Sequence, residues 1–123
     1  MGLDMNFFAV ANGNEPTDDN LIEIRYFRKH ATLHDLLLKE WFKENPKKGV
    51  RDFNGILWDV PAEFFKKLQK ICKEDNKKRT HYPEECFWGE SHPEDWEETV
   101  EYLLPETKKF ISEGYKIYYL PWW

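Results

Sequence analysis

A two-layer α+β domain, with helices on one face of a mainly antiparallel sheet, is the architecture this sequence predicts. Three observations predict it. Segments with strand-like composition or alternation lie near both ends of the chain. Three stretches between them carry apolar residues at helical spacing. The resulting order, β-β-α-β-α-α-β, is most simply satisfied by a single sheet of about four strands covered by three helices.

The first strand is Leu3 to Ala11, a β-prone run that ends at the turn-rich Asn12-Gly13-Asn14-Glu15-Pro16. The second, Leu21 to Arg28, alternates: Ile22, Ile24 and Tyr26 share one expected face, and Glu23, Arg25 and Phe27 the other. A helix is expected from Thr32, where Thr32-x-x-Asp35 reads as a capping-box variant, with Leu33, Leu37 and Trp41 on its buried stripe. Pro46 and Gly49 end it. Asn54-Gly55 then turns the chain into a short strand, Ile56 to Val60.

The next helix follows Pro61, with Phe64, Phe65, Leu68, Ile71 and Cys72 forming an amphipathic pattern. Asn76 to Glu90 reads as irregular. The last helix is expected from Ser91, capped through Ser91-x-x-Glu94. Its apolar face holds Trp96, Val100, Leu103, Leu104 and Ile111, and Pro105 should kink or interrupt it, because proline lacks a donor and crowds the preceding turn. Gly114 suits the position just past the helix end. A final strand, Tyr115 to Leu120, runs into Pro121-Trp122-Trp123.

The length, 123 residues, fits one domain, 1–123. Aromatic residues make up 17% of it, more rings than one small core needs, so some should be exposed or line a pocket. Cys72 and Cys86 give no disulfide framework and read as reduced thiols of a cytoplasmic protein. No leader pattern follows Met1, and no apolar run approaches the roughly 20 residues that cross a bilayer; a membrane partner is not expected. The net charge of −5 argues against general DNA or RNA binding. Charge is uneven, with nine acidic and no basic residues from Thr80 through Thr107 and seven basic residues from Lys66 to Arg79.

Two constellations suggest chemistry. Arg25, Arg28, Lys29, His30 and His34 cluster where the second strand enters the first helix. A helix N-terminus and basic side chains can together hold an anion, and arginine grips phosphate or carboxylate at two points. Phe87-Trp88-Gly89 and Tyr118-Tyr119-x-Pro121-Trp122-Trp123 offer rings on which a base could stack. The bland alternatives are solvated charges for the first group and sheet packing for part of the second. His81, Cys86 and His92, with Cys72, have ligand types that suit zinc, but their spacing matches no compact zinc site. No phosphate-loop, dinucleotide-binding or hydrolase motif is present, so neither a cofactor nor a metal is expected.

The opening Met1-Gly2-Leu3-Asp4-Met5 resembles a family of small phage and prophage proteins that begin MGLDMY. Phe27-Arg28-Lys29 with Leu33-His34 looks like that family's W-R-K-x-N-x-I-H segment. Asn54-Gly55 is similar to its N-x-G turn, Phe87-Trp88-Gly89 to its F-F-G element, and Tyr118-Tyr119 with Trp122 to its aromatic tail. The chain departs from the pattern with Phe27 in place of Trp and Ala31 in place of Asn. The resemblance implies a phage-related setting in the host cytoplasm and a shared site around Arg28, Lys29, His34 and the aromatic elements. It also brings counter-defence roles into view.

The expected function is therefore a non-enzymatic binding protein that sequesters a small anionic, nucleotide-like ligand, a cyclic or signalling nucleotide being one candidate. Arg25, Arg28, Lys29 and His34 would hold its anionic part, and Phe87, Trp88, Tyr118 and Trp122 its flat part. A homo-oligomer sharing that site fits the same reading. Two alternatives stand beside it: an acidic inhibitor or nucleic-acid mimic acting on a host protein, and a small nucleotide hydrolase using Cys86 or the histidines.

Overall fold

Alternation along the first strand organises the sheet. In the computed structural model, which describes residues 2–74 and 91–123, β1 spans Asp4–Val10. Met5, Phe7 and Ala9, with Leu3 just before them, are fully buried, while Asp4, Asn6 and Phe8 point to the opposite face and stay partly exposed. The strand β2 spans Ile22–Arg28, β3 Trp58–Val60 and β4 Lys116–Trp122. Their order is β2-β1-β4-β3, with every pairing antiparallel. The first and last strands of the chain thus form the centre of the sheet.

The helices are α1 (Ala31–Glu44), α2 (Ala62–Glu74), α3 (Pro93–Glu98) and α4 (Leu104–Ser112), the last two joined by a π turn over Thr99–Leu103. Their apolar stripes, including Leu33, Leu37, Trp41, Phe64, Leu68 and Leu103, pack with the inward side chains of the sheet into one core. This is the α+β arrangement expected, with the expected last helix divided into α3, the π turn and α4. Among the described residues, no helix is long and apolar enough to cross a membrane.

Three local expectations are corrected. In β2 the register shifts between Phe7↔Arg25 and Phe8↔Glu23, so Ile24 is an extra residue in a bulge. Strict alternation therefore fails: Ile24 and Phe27 are both buried, and Ile22 and Tyr26 are exposed. The helix α1 begins one residue early, at Ala31, with His30 as its cap residue and no side-chain cap of its own. Thr32 lies inside the first turn and Asp35 just past it, and both are buried. Finally, α3 starts after His92 and not at Ser91; the His92 amide donates to Asp95 Oδ2 at 3.1 Å.

Pro105 acts where expected. It sits at the start of α4, directly after the π turn, in which the Leu104 amide donates to the Thr99 carbonyl. The wider turn accommodates a residue that cannot donate and whose ring crowds the carbonyl four residues back. Gly114, at φ +88, closes the C-terminus of α4: its amide donates to Ile111 O at 3.0 Å and the Tyr115 amide to Phe110 O at 2.9 Å.

Candidate functional site

The sheet divides the basic and aromatic residues expected to form one site into two groups, one under the helices and one on the open face.

His34 belongs to the covered group. It sits in the first turn of α1, fully buried, with Nδ1 2.6 Å from the Tyr119 hydroxyl and its ring stacked on Phe53 at 5.7 Å. Burial pushes its pKa down to about 4, so the ring is neutral. Its Nε2 is buried without a hydrogen-bond partner. Burial, followed by the nearby Asp35 charge, raises Tyr119 well above its ordinary value. The pair is therefore a neutral polar contact within the core.

His30 is more completely satisfied. Ser91 Oγ accepts the Thr32 amide at 2.8 Å, which leaves its own proton for Nδ1 of His30, 2.6 Å away. Thr99 Oγ1 donates to the Asp95 carbonyl at 2.7 Å and so accepts from Nε2–H of His30 at 2.9 Å. This chain of donors selects the Nε2–H tautomer. Burial holds the His30 pKa down at about 3, which agrees with a neutral ring. The Ser91 hydroxyl supplies the cap that α1 lacks locally.

Arg25 also turns toward the helices, on the covered side of the bulge. Its guanidinium carbon lies 4.2 Å above the ring of Tyr102 in the π turn, a cation–π contact, and its Nε is buried without a hydrogen-bond partner.

Arg28, Tyr118 and Trp122 lie on the other face. In the ladder Asp4 pairs with Arg28 on one side and with Trp122 on the other. The residues facing one another across a ladder point the same way, so Trp122, Asp4 and Arg28 form one row across three strands. At this end Trp122 is 60% exposed and Tyr26 is 44% exposed. The Tyr26 hydroxyl hydrogen-bonds to Asp4 Oδ1, and that bond, before burial and the Asp4 charge, raises its pKa. Among the described residues Arg28 makes no ion pair, and its guanidinium lies beside Gly2. Lys29 follows, exposed, with a left-handed φ of 59° and its amide donating to Leu3 O at 2.7 Å.

Tyr118 is on this face but nearer its closed end. It pairs with Phe8 and Asp59 and is almost buried. Burial, then the Asp59 charge, raises its pKa, and Glu15 from the loop after β1 adds to the effect.

The indole of Trp122 rests against Gly55, whose φ is +76. A β-carbon there would come within 3.0 Å of Trp122 Cζ3. The Gly55 amide donates to Pro121 O at 2.8 Å, and the Asn54 side chain brackets Trp123, accepting its amide at 2.9 Å and donating to its carbonyl at 2.7 Å. Asn54-Gly55 thereby extends the pairing of β4 beyond the end of β3 and holds the aromatic tail in place.

A recess among the described residues lies elsewhere. A groove of about 760 Å³ runs between α2 and α4, floored by Phe65, Val100, Leu104 and Ile111 and edged by Lys66 and Lys108. Neither Arg28 nor Trp122 lines it. Phe87 and Trp88, with His81 and Cys86, lie outside the described residues. Among the described residues no group of three potential metal ligands occurs.

Sequence reasoning passed over Asp4 and Tyr26 as site residues. Both sit at outward positions of paired strands, but only the strand order brings Asp4 between Arg28 and Trp122, with Tyr26 on β2 reaching it. Comparison with protein-family models, curated proteins and solved structures finds no match to this chain.

Proposed function

We propose that this protein is a non-enzymatic binding protein that holds a small anionic, nucleotide-like ligand on the open end of its sheet. The observation that carries the reading is the shared partner of Arg28 and Trp122: each pairs with Asp4, so a guanidinium and an exposed indole project from one face. Arg28 has no carboxylate at ion-pair distance among the described residues and is available to an anion. Lys29 adds positive charge at the same corner, and the Trp122 ring offers a stacking surface.

Arg25 and His34 support the sheet and core in this reading and do not touch ligand. The resemblance to phage and prophage proteins supplies the setting, in which a small protein withholds a nucleotide signal within the host cell. Calorimetry against cyclic dinucleotides, ADP-ribose-type molecules and mononucleotides tests it. At least one should bind, and Arg28→Ala should weaken that binding about tenfold or more. Background heats across the whole panel would remove the proposal.

A second reading rests on α3 and the π turn, where Glu94, Glu97 and Glu101 are exposed and make no ion pair among the described residues. That acidic stripe could dock on a basic protein surface. A host-protein complex lost on reversing these three charges, with no nucleotide binding, would favour it.

A further inference from the structure

The row on the open face has a chemical order as well as a common direction. Trp122 on β4 presents an indole, Asp4 on β1 a carboxylate, and Arg28 on β2 a guanidinium. Neighbouring strands are about 4.8 Å apart, so the outer two residues stand roughly 10 Å from one another at the backbone. Aromatic ring, hydroxyl-bearing sugar and phosphate follow one another in the same order along a nucleotide.

Asp4 decides which ligand fits. One of its oxygens accepts the Tyr26 hydroxyl, which fixes the carboxylate. The other has no hydrogen-bond or ion-pair partner among the described residues. An ionised carboxylate is an acceptor only, so the group placed over it must donate. A phosphate there would be repelled, whereas the vicinal hydroxyls of a ribose would donate, the pairing by which acidic residues select ribose in dinucleotide-binding folds. A cyclic dinucleotide carries a second phosphate on the far side of its sugar, which this row would place toward Asp4.

Resting on the nucleotide-binding reading above, we infer that the site takes a ribonucleoside monophosphate, with the base on Trp122, the ribose hydroxyls on Asp4 and the phosphate on Arg28. Asp4 is then a specificity-determining residue that separates ribose from deoxyribose and one phosphate from two.

Titration calorimetry with AMP, 2′,3′-dideoxy-AMP and cyclic di-AMP tests this on the intact protein and on Asp4→Asn, which keeps an acceptor for Tyr26. AMP should bind about tenfold or more tighter than its dideoxy analogue, as expected for hydrogen bonds to a charged acceptor. Asp4→Asn should shrink that ratio to about threefold or less while still binding AMP. Equal affinity for AMP and the dideoxy analogue, or tighter binding of cyclic di-AMP, would overturn the inference and leave the broader nucleotide reading standing. No binding of AMP or of any other nucleotide would remove both.

Discussion

The hydroxyl of Ser91 lies 2.8 Å from the backbone nitrogen of Thr32, 59 positions earlier in the chain, and caps the N-terminus of α1 from outside the helix. The same hydroxyl reaches Nδ1 of His30. Ser91→Ala would leave a helix amide and a buried ring nitrogen without partners, so it should cost about 1–3 kcal/mol. Urea unfolding measures this, and an unchanged midpoint would show that water replaces the hydroxyl without loss.

Two buried histidines, His30 and His34, make stability depend on pH. His30 and His34 titrate at about 3 and about 4 in the fold, whereas an unfolded chain takes up each proton near pH 6.5. Because the folded values are depressed, the unfolded chain binds more protons below about 6.5. The stability tied to the neutral rings is present above that pH and declines as pH falls toward 4 and then 3. Between pH 7 and pH 5 the loss should be on the order of 3 kcal/mol, a fall in melting temperature of about 10 °C. A melting temperature constant over that interval would contradict neutral, buried rings.

Gly55 meets two requirements at once. Its φ of +76 disfavours a side chain, and the Trp122 ring occupies the space a β-carbon would need. Gly55→Ala should therefore lower stability by about 1–2 kcal/mol and displace the Trp122 ring. Denaturation together with the Trp122 indole N–H resonance reads both effects; a stable variant with that resonance unmoved would count against this packing.

Arg25 and Arg28 are separated by the sheet, and their substitutions should separate as well. Arg25→Ala removes the cation–π contact with Tyr102 and should cost about 1 kcal/mol of stability with ligand affinity intact. Arg28→Ala should leave stability within about 0.5 kcal/mol and weaken nucleotide binding. The reverse pattern, seen by paired unfolding and binding measurements, would move the site to the covered face.

Much of the architecture is legible in the sequence because it is periodic. The buried stripe Leu33, Leu37 and Trp41, the β-prone run that forms β1, and the glycine after α4 each follow from local pattern. What depends on distant partners is not legible. Ser91 has the type of residue that caps its own helix, yet caps α1, because the fold brings it to His30. The bulge at Ile24 adds one residue to β2 and reverses which of Tyr26 and Phe27 is buried, an event that leaves no mark on composition. His34 has the position of a ligand-binding residue in a first helical turn, but that turn packs over Tyr119 in the middle of the sheet. The row Trp122, Asp4, Arg28 needs the order β2-β1-β4, and no local pattern encodes it.

The location of the ligand tests the account most directly. Backbone and indole resonances of the isotopically labelled protein, followed during titration with AMP, report which residues it approaches. The account predicts shifts concentrated at Asp4–Asn6, Tyr26–Lys29 and Leu120–Trp122, including the Trp122 indole N–H. Shifts confined to the groove between α2 and α4, at Phe65, Val100 and Leu104, with the sheet row unmoved, would contradict it.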